Sequence, residues 1–351
     1  MLIGEDRQDE WNDFVAASEH GSALQSYQWG QLKGFTGWEA LPVALMDEGR
    51  MRACALVLKR ELPLIGRALF YAPRGPIVGF EDAEALSRLL GEIRELAREH
   101  RALALKVDPP IPAEQTSAVE ALRSAGFRPI QYDEKGLGGT QPRWVMKTDL
   151  TPEPEALLAS FKSKWRYNIR LAGRKEVTVR RDCSSADLPE FYKLLRVTAD
   201  RDGFAVRSRE YFERLYDLLV PAGLAKLFVA EYAGQMIAGA ILFKMGRQAT
   251  YVYGASSNEH RERMPNHLLQ WEMMQWAREQ GCTVYDFRGV AREIDGKPVA
   301  ALSGLNRFKR GFAAEYVEYV GEWDLVFSPI WYRIYRLACA LRERRRTEHG
   351  E

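Results

Sequence analysis

The feature that most constrains the fold is an order of predicted elements that occurs twice along the chain. Apolar spacing predicts a β-hairpin, a third strand, a helix, a buried strand, a second helix and a last strand. In the first copy these elements are predicted at 38–47, 52–59, 68–71, 82–100, 102–108, 117–125 and 127–132. In the second copy they are predicted at 227–232, 236–245, 250–255, 265–279, 283–287, 305–309 and 312–319. We therefore expect two copies of one mixed α/β unit, offset by about 180 residues.

The repeat also predicts the domain boundaries. A further strand at 144–149 ends the first half, and Thr151-Pro152-Glu153-Pro154 has the composition of a linker. We expect a first domain at 1–150 and a second domain at 151–319. The C-terminal segment 320–351 is expected to join the first domain.

An amphipathic helix is predicted within this C-terminal segment, at 330–342. Its apolar residues Ile330, Ile334, Leu337 and Leu341 share one face. We expect that face to pack back onto the body of the protein. The alternative is that the basic residues of the helix touch a membrane surface.

The segment from Phe161 to Arg181 is strongly basic, with eight Lys and Arg residues and a single acid, Glu176. Four of the cations follow one another at i+4 and predict one cationic row on a helix: Lys162, Arg166, Arg170 and Arg174. Phe161, Trp165 and Ile169 have the same spacing and would anchor that helix to a core. Because neighbouring cations repel one another, the row favours an anionic ligand such as phosphate, and a plain solvated face is the alternative.

Composition and motifs exclude several other classes. The chain has 351 residues and a formal net charge of only +2, so the basic segment is a local feature. The four cysteines lie far apart without CxxC spacing, so we expect no disulfide framework and no metal. The sequence lacks HExxH, GxSxG, Walker A and GxGxxG motifs. The acidic N-terminus is unlike a signal peptide and no window could span a membrane, so we expect a cytoplasmic protein.

The repeated order of elements resembles the N-acetyltransferase (GNAT) fold. In that fold a Gly-rich turn before the central helix binds the pyrophosphate of acyl-CoA through backbone N–H groups. The corresponding turn of the second copy, 261–266, has no glycine, and Pro265 has no N–H to donate. In the first copy the turn at 78–82 contains Glu81 and Asp82, which would repel phosphate. We therefore expect an acyl donor other than CoA.

Several short motifs, in order, resemble a known family. They are Trp29-Gly30-Gln31-Leu32-Lys33, Leu105-Lys106-Val107-Asp108-Pro109, Lys164-Trp165-Arg166-Tyr167-Asn168-Ile169-Arg170, Gly203-Phe204-Ala205-Val206-Arg207, Tyr251-Val252-Tyr253-Gly254-Ala255, Tyr285-Asp286-Phe287-Arg288-Gly289 and Gly304-Leu305-Asn306-Arg307-Phe308-Lys309-Arg310-Gly311-Phe312. Together they resemble the FemABX family of peptidoglycan-bridge aminoacyltransferases over nearly the whole chain. The resemblance implies two tandem GNAT-like domains. The sequence has no heptad run for the helical arm of some members, so it is similar to the compact FemX-type members.

The resemblance implies a pocket between the domains that binds the precursor's peptide and diphosphate. Lys33 and Asp108 would contribute from the first domain, and Arg207, Tyr211 and Tyr253 from the second. Arg207 and Tyr211 are four residues apart and would face one ligand if their segment is helical. For Asp108, the residues alone also allow a turn cap before the proline that follows it.

Tyr251 and Tyr253 alternate along a strand and are expected on one face of it. The resemblance places Tyr253 in the pocket, whereas Tyr251 is equally well explained as a core residue.

The resemblance also implies a catalytic pair, Phe308 and Lys309. Transfer of an aminoacyl ester to an amine passes through an oxyanion, which a fixed cation such as Lys309 would stabilise. The alternative is a solvated lysine on a short helix. Arg307 and Arg310 flank the pair and are expected to meet the tRNA end. The sequence offers no convincing general base, and Asp108 is only a weaker candidate.

The implied activity is transfer of Gly, Ala or Ser from aminoacyl-tRNA to the stem-peptide diamino acid of a peptidoglycan precursor. The acceptor is a UDP-linked or lipid-linked muramyl-pentapeptide, and contact with the inner membrane face stays open. We expect a monomer without a cofactor, because the aminoacyl ester is already activated. Two alternatives remain, an N-acyltransferase that uses acyl-CoA or another carrier and a non-catalytic RNA- or glycan-binding protein.

Overall fold

A computed structural model describes residues 1–130, 137–299 and 303–348 of the chain. The α-helices are α1 (Gln8–Ala17), α2 (Tyr27–Gly34), α3 (Ala83–Glu99), α4 (Thr116–Ser124), α5 (Pro154–Ser160), α6 (Ser163–Arg174), α7 (Leu188–Asp202), α8 (Arg209–Leu219), α9 (Pro265–Glu279), α10 (Ser303–Arg310) and α11 (Pro329–Glu348). The strands are β1 (Glu39–Asp47), β2 (Arg50–Leu62), β3 (Arg67–Ala72), β4 (Ala102–Val107), β5 (Arg128–Pro129), β6 (Trp144–Asp149), β7 (Thr178–Arg180), β8 (Ala225–Tyr232), β9 (Gln235–Met245), β10 (Gln248–Ser256), β11 (Val284–Gly289), β12 (Glu293–Ile294), β13 (Lys297–Pro298), β14 (Glu315–Glu318) and β15 (Trp323–Val326). Of the strand predicted at 127–132, residues 131 and 132 lie outside the described residues.

The first compact unit consists of Met1–Phe14, Leu24–Gln131 and Val320–Glu351. Its sheet has the order β1-β2-β3-β4-β15-β5, with β3 and β4 parallel and the other neighbours antiparallel. Helix α3 covers the sheet because its apolar residues recur at helical spacing, and Leu86, Leu89 and Ile93 are buried in the core.

The second compact unit consists of Val15–Ala23 and Tyr132–Tyr319. Its main sheet has the order β14-β6-β11-β10-β9-β8-β7, and β10 and β11 are parallel. Helix α9 packs on the sheet within a core that includes Ala238 and Ala240 of β9. Gly239, between them, faces Phe191 of α7, so α7 covers the opposite face of the sheet.

The two sheets follow one plan, and in each plan one strand comes from outside the predicted repeat. In the first unit β15 lies between β4 and β5, and in the second unit β6 lies between β11 and β14. The predicted boundary at 150 therefore differs from the structure, where β6 belongs to the second unit. The physical reason is that β6 finds its hydrogen-bonding partners in β11 and β14, far from it in sequence.

The C-terminal helix α11 packs back onto the first unit, but the predicted packing face is wrong. The hydroxyl of Tyr332 donates a hydrogen bond to Asp324, and the Arg67 guanidinium lies 5.1 Å from the ring centroid of Trp331. The predicted contact residues are all exposed: Ile330, Ile334, Leu337 and Leu341. Aromatic residues on the other side provide both ring surface and a hydroxyl for the buried carboxyl of Asp324, which aliphatic residues cannot do.

Candidate active site

Lys309, on α10, lies against the carboxyl end of β11 and is 4% exposed. Its Nζ donates hydrogen bonds to the carbonyl oxygens of Phe287 at 2.7 Å, Gly289 at 2.6 Å and Arg288 at 3.4 Å. Burial lowers the pKa of Lys309 to about 7, against the opposing effect of the Asp286 carboxylate. Three carbonyl oxygens match the three N–H groups of an ammonium, so this side chain fixes the strand end. The alternative of a solvated lysine is wrong.

The strand end that Lys309 holds has an unusual backbone. Arg288 has a φ of 59°, in the left-handed region that residues with a Cβ rarely adopt. The Arg288 N–H donates a hydrogen bond of 2.6 Å to the Asp286 carboxylate. The Arg288 guanidinium donates another of 2.6 Å to Oε1 of Gln141. These contacts, with those of Lys309, stabilise the conformation and orient the last peptide groups of β11.

Phe308 is half-buried in an aromatic cluster. Its ring centroid lies 5.3 Å from that of His267 and 5.2 Å from that of Phe312. Burial lowers the pKa of His267 to about 4, and Lys164 adds to the effect, so the imidazole is neutral near pH 7. Its Nε2 lies 3.1 Å from Nδ2 of Asn168. His267 therefore packs within this aromatic cluster as a neutral side chain.

The two arginines that flank the Phe308–Lys309 pair differ in their surroundings. Arg307 is exposed, whereas Arg310 forms an ion pair with the buried carboxylate of Glu293. Asn306, which is buried, accepts a hydrogen bond from Ala291 N at 2.9 Å and donates to Glu293 at 2.9 Å. Arg307 is therefore the better placed of the two to reach an anionic ligand, and Arg310 helps to hold α10.

The cationic row is interrupted in the structure at Arg166. Its guanidinium donates to the carbonyl oxygens of Ala159 and Phe161 at the end of α5. The other members of the row are exposed: Lys162, Arg170 and Arg174. Arg166 is therefore less available to an anionic ligand than the rest of the predicted row, because the carbonyl oxygens of the preceding helix end accept its hydrogen bonds.

An exposed group on α6 remains, which we call the cationic patch: Lys164, Tyr167, Arg170 and Arg174. The ring of Tyr167 is 53% exposed. The Arg174 guanidinium lies 5.4 Å from its centroid. Cations around an exposed aromatic ring combine phosphate attraction with a surface for base stacking.

Helix α6 is bonded directly to the end of α10. Trp165 Nε1 donates to the carbonyl oxygen of Phe308 at 2.9 Å, and Lys162 N donates to that of Gly311 at 2.9 Å. A Cβ at Gly311 would lie 2.0 Å from the Trp165 ring, so only glycine fits. The predicted anchoring of α6 by Trp165 is confirmed, and it connects the cationic patch to the Phe308–Lys309 pair.

Tyr211 and Tyr253 meet beside this strand end, and their hydroxyl oxygens lie 3.4 Å apart. Burial raises the pKa of Tyr211 well above its usual range, with a contribution from Tyr253, while Arg207 and Arg288 act against the rise. Arg207 lies before Ser208, the N-cap of α8, so the predicted helical pairing is wrong. Its guanidinium still lies 5.7 Å from the Tyr211 ring centroid. The loop conformation, rather than helical spacing, makes this contact.

Tyr251 and Tyr253 do not share a face of β10. The register against β9 shifts between them, with Tyr251 opposite Leu242 and Tyr253 opposite Ile241. Tyr251 packs into the core that contains α9, where its hydroxyl leaves no space for a Cβ at Gly254, whereas Tyr253 contacts α8. The shared face is wrong because a β-bulge reorients one side chain, and the core interpretation of Tyr251 is confirmed.

In the first unit, Asp108 follows β4 and is 1% exposed. Its carboxylate accepts hydrogen bonds from the Tyr71 hydroxyl at 2.6 Å and from Arg74 N at 2.5 Å. Burial raises the pKa of Asp108 to about 6, although Arg74 and Tyr71 act against the rise. The carboxylate therefore holds the loop around Arg74 and orients Tyr71.

Lys33 lies on α2 and is half-buried, with its Nζ 5.5 Å from the ring centroid of Trp29. Its carbonyl oxygen accepts a hydrogen bond from Trp38 N at 3.3 Å. The Trp38 and Tyr71 ring centroids are 6.3 Å apart, which connects Lys33 to the Asp108 network. The two predicted residues of the first unit thus lie in one chain of contacts.

Sequence reasoning missed three polar residues that organise these sites: Gln25, Tyr71 and Asn306. Gln25 is completely buried. Its side-chain amide accepts a hydrogen bond from Leu56 N and donates one to Pro73 O, and each bond is 2.8 Å long. Asn306 lies within a quoted motif, and Gln25 lies four residues before the first one. No local pattern marks either residue, because Gln25 is followed by Ser26 and Asn306 by Arg307.

The turn before α9 has few backbone donors left for phosphate. Arg263 N, Met264 N and His267 N all donate to carbonyl oxygens of the same turn. The Arg263 guanidinium also donates to Lys175 O at 2.7 Å, and Lys175 Nζ donates to Glu262 O at 3.0 Å. The turn is thereby tied to the end of α6 and differs from a Gly-rich pyrophosphate cradle.

Comparison with known proteins agrees with this arrangement. The FemAB family model matches residues 7–235 and 222–339. A lipid II:glycine glycyltransferase of Staphylococcus aureus (strain MRSA252) is 30% identical over 394 residues, covering 93% of each chain. The crystal structure of FemX has a TM-score of 0.88 at 29% identity and covers 95% of this chain and 98% of FemX.

The fold itself also has more distant relatives. A tandem GNAT protein from the clavulanic acid biosynthesis pathway has a TM-score of 0.55 at 13% identity, covering 93% of this chain and 97% of that one. The predicted mixed α/β fold of two tandem GNAT-like units is confirmed. With matches along almost its whole length, the chain belongs to the FemAB family.

Proposed function

We propose that this enzyme transfers an amino acid from aminoacyl-tRNA to the stem-peptide amine of a lipid-linked peptidoglycan precursor. The relative named lipid II:glycine glycyltransferase supports glycine as the first donor to test and a lipid-linked acceptor ahead of a UDP-linked one. Alanine and serine are the next donors. The observation that carries the proposal is the direct bonding between α6, which bears the cationic patch, and the end of α10, which bears Phe308 and Lys309.

In the proposed reaction the acceptor amine attacks the ester carbonyl carbon. A C–N bond forms, and the C–O bond to the terminal ribose of the tRNA breaks. The amine loses one proton and the ribose oxygen gains one, so the step balances without a cofactor. The protein's contribution is to position both substrates and to stabilise the oxyanion.

Lys309 is the proposed source of positive charge for that oxyanion. Each of its N–H groups has a carbonyl partner, so direct contact requires the exchange of one partner for the substrate oxygen. The 3.4 Å contact to Arg288 is the longest of the three and is the one we expect to be exchanged. The contacts to Phe287 and Gly289 would then keep the ammonium in place.

The remaining predicted residues are proposed to bind the precursor. Arg207 is exposed and suits a diphosphate or a peptide carboxylate. Tyr211 and Tyr253 offer hydroxyl groups, and Lys33 and Asp108 stay proposed binding residues of the first unit. Asp108 acts there through Tyr71, because its carboxylate is buried.

For the donor, the cationic patch and Arg307 are proposed to contact tRNA phosphates and unpaired bases. The exposed Tyr167 ring offers a stacking surface. The internally bonded turn before α9 disfavours acyl-CoA as an alternative donor.

The test is a transfer assay with purified full-length protein. Glycyl-, alanyl- and seryl-tRNA, each labelled in the amino acid, are supplied with either a lipid-linked or a UDP-linked muramyl-pentapeptide. We expect label on the lipid-linked acceptor, and none after RNase treatment of the donor. Transfer from acyl-CoA without tRNA would overturn the proposal, and so would binding of both substrates without transfer.

A further inference from the structure

Helix α11 leaves a continuous apolar stripe in solvent. Its exposed fractions are 74% for Ile330, 48% for Ile334, 65% for Leu337 and 53% for Leu341. Their spacing of four, three and four residues puts them in one row along the helix. Four large aliphatic side chains in one exposed row are unusual for a soluble surface.

The opposite side of α11 is attached to the first unit. Tyr332 bonds to Asp324, Trp331 lies under the Arg67 guanidinium, and Tyr335 is half-buried. The stripe is therefore exposed while the helix is docked. Its orientation is set by the aromatic residues on the attached side.

The charge on α11 is of one dominant sign. Between 329 and 348 the sequence has six arginines, at 333, 336, 342, 344, 345 and 346, and two glutamates, at 343 and 348. Arg333 is exposed beside the stripe, whereas Arg336 is exposed on the side of the helix that faces Asp324. Since the whole chain carries a net charge of only +2, this excess is local.

We propose that α11 is a peripheral membrane-binding element whose stripe enters the outer acyl region of an anionic bilayer. Arg333 would meet lipid phosphates, and the docked aromatic side would hold the enzyme at the surface. Apolar residues flanked by arginines are the arrangement that interfacial helices use. None of the described helices combines the length and apolarity of a membrane span, so α11 would lie along the surface rather than cross it.

The positive charge of α11 favours an anionic lipid surface as the binding partner over a second copy of the chain. A purely apolar self-association would not need the arginine excess, and like charges on two copies would repel. The proposal goes beyond the proposed transfer reaction and does not depend on it, because vesicles without precursor or tRNA test it.

The experiment is sedimentation of the full chain with sucrose-loaded vesicles, either pure phosphatidylcholine or a mixture with phosphatidylglycerol. We expect binding to the mixed vesicles that weakens with salt, and much weaker binding to pure phosphatidylcholine. The variant Ile334→Ser/Leu337→Ser keeps the charge and should lower the partition coefficient by roughly 30-fold or more. Arg333→Gln should lower it by roughly fivefold and reduce its salt dependence.

A matched control is Ile294→Ser, in the short strand β12 of the second unit. Ile294 is the same residue type as Ile334 and has the same exposed fraction of 48%, so it controls for loss of one exposed isoleucine. We expect it to bind vesicles like the wild type. Failure of the wild type to bind anionic vesicles would overturn the proposal, and so would equal binding by the Ile334→Ser/Leu337→Ser variant. A dimer that this variant abolishes, without vesicle binding, would also overturn it.

Discussion

The ends of two equivalent strands, β4 in the first unit and β11 in the second, have buried charges of opposite sign. After β4, the Asp108 carboxylate accepts hydrogen bonds from Tyr71 and from Arg74 N. At β11, the Lys309 ammonium donates to backbone carbonyl oxygens. The same sheet order thus accommodates a buried hydrogen-bond acceptor at this strand end in one copy and a buried hydrogen-bond donor in the other.

Each copy has a Gly-Phe pair before its last strand, Gly126-Phe127 and Gly311-Phe312, and the two pairs differ in a similar way. Gly126 has a φ of 95°, so glycine is required there by the backbone. Gly311 is required by space, because the Trp165 ring lies against it. One sequence motif therefore persists for two physical reasons, and only the second connects α6 to the candidate active site.

Removing the Lys309 ammonium at the end of β11 should have the largest effect on the transfer rate. We expect Lys309→Met to lower the single-turnover rate by roughly 100- to 1000-fold, because it removes the cation proposed for the oxyanion. Precursor binding should stay measurable by calorimetry, which also confirms that the variant is folded. Near-normal turnover would remove Lys309 from the catalytic role and leave it as a support for the strand.

The variant Gly311→Ala tests whether the second Gly-Phe pair is required by space. The added Cβ must displace the Trp165 ring, so we expect the free energy of unfolding to fall by roughly 1–3 kcal/mol and transfer to fall with it. Gly304→Ala is the matched control on α10, because a Cβ added at Gly304 would meet no other atom within 4 Å. That variant should be neutral or slightly stabilising in urea unfolding. Equal effects of both variants would contradict the packing argument.

The two buried charges should also give opposite pH dependences of stability. The pKa of Asp108 is raised from 3.8 to about 6, so the folded state holds this proton more tightly and the residue's contribution to stability falls as the pH rises between those values. The pKa of Lys309 is lowered from 10.5 to about 7, so its contribution rises as the pH increases between about 7 and 10.5.

At about 1.4 kcal/mol per pKa unit, the change should be on the order of 3 kcal/mol for Asp108 and 5 kcal/mol for Lys309. The measurement is urea unfolding across a pH series for the wild type, Asp108→Asn and Lys309→Met. The wild type should lose stability relative to Asp108→Asn from pH 3.8 to about 6, and gain it relative to Lys309→Met above about 7. Parallel curves for wild type and variant would show that the buried group does not titrate as argued.

The smallest expected effect concerns the cationic patch, a feature of the second unit. Arg170→Gln/Arg174→Gln should lower the slope of log affinity for tRNA against log salt concentration by about 1 to 2. Arg166→Gln is the control, because its guanidinium is bonded to the end of α5. It should lower stability slightly and leave the salt slope nearly unchanged. An unchanged slope in the double variant would show that the cationic patch is a solvated surface that does not bind tRNA phosphates.

Much of the element order could be predicted from the sequence, because apolar periodicity reports which residues face a core. The pattern did not reveal strand partners, so β6 was assigned to the wrong unit. The apolar row of α11 predicted a shared face correctly, but spacing alone does not say whether that face meets protein or solvent. Lys309 was identified only through a resemblance, since a charged residue is ordinarily expected in solvent.

Other parts of the site depend on contacts that no local pattern encodes. The hydrogen bonds of Arg166 to α5, the bulge between Tyr251 and Tyr253, and the loop contact of Arg207 each depend on the conformation of a neighbouring segment. For this reason the sequence alone could not indicate what each of these residues touches.

The placement of β15 has a consequence for how the chain is made. The ribosome synthesises β4 and β5 early, but the strand that lies between them, Trp323–Val326, is synthesised only after the whole second sheet. During translation β4 and β5 therefore lack the strand that pairs with both of them, while the strands of the second sheet have already been synthesised. The order of synthesis thus favours completion of the second unit before the first, and the last strand to arrive closes the sheet whose first strands were made at the start.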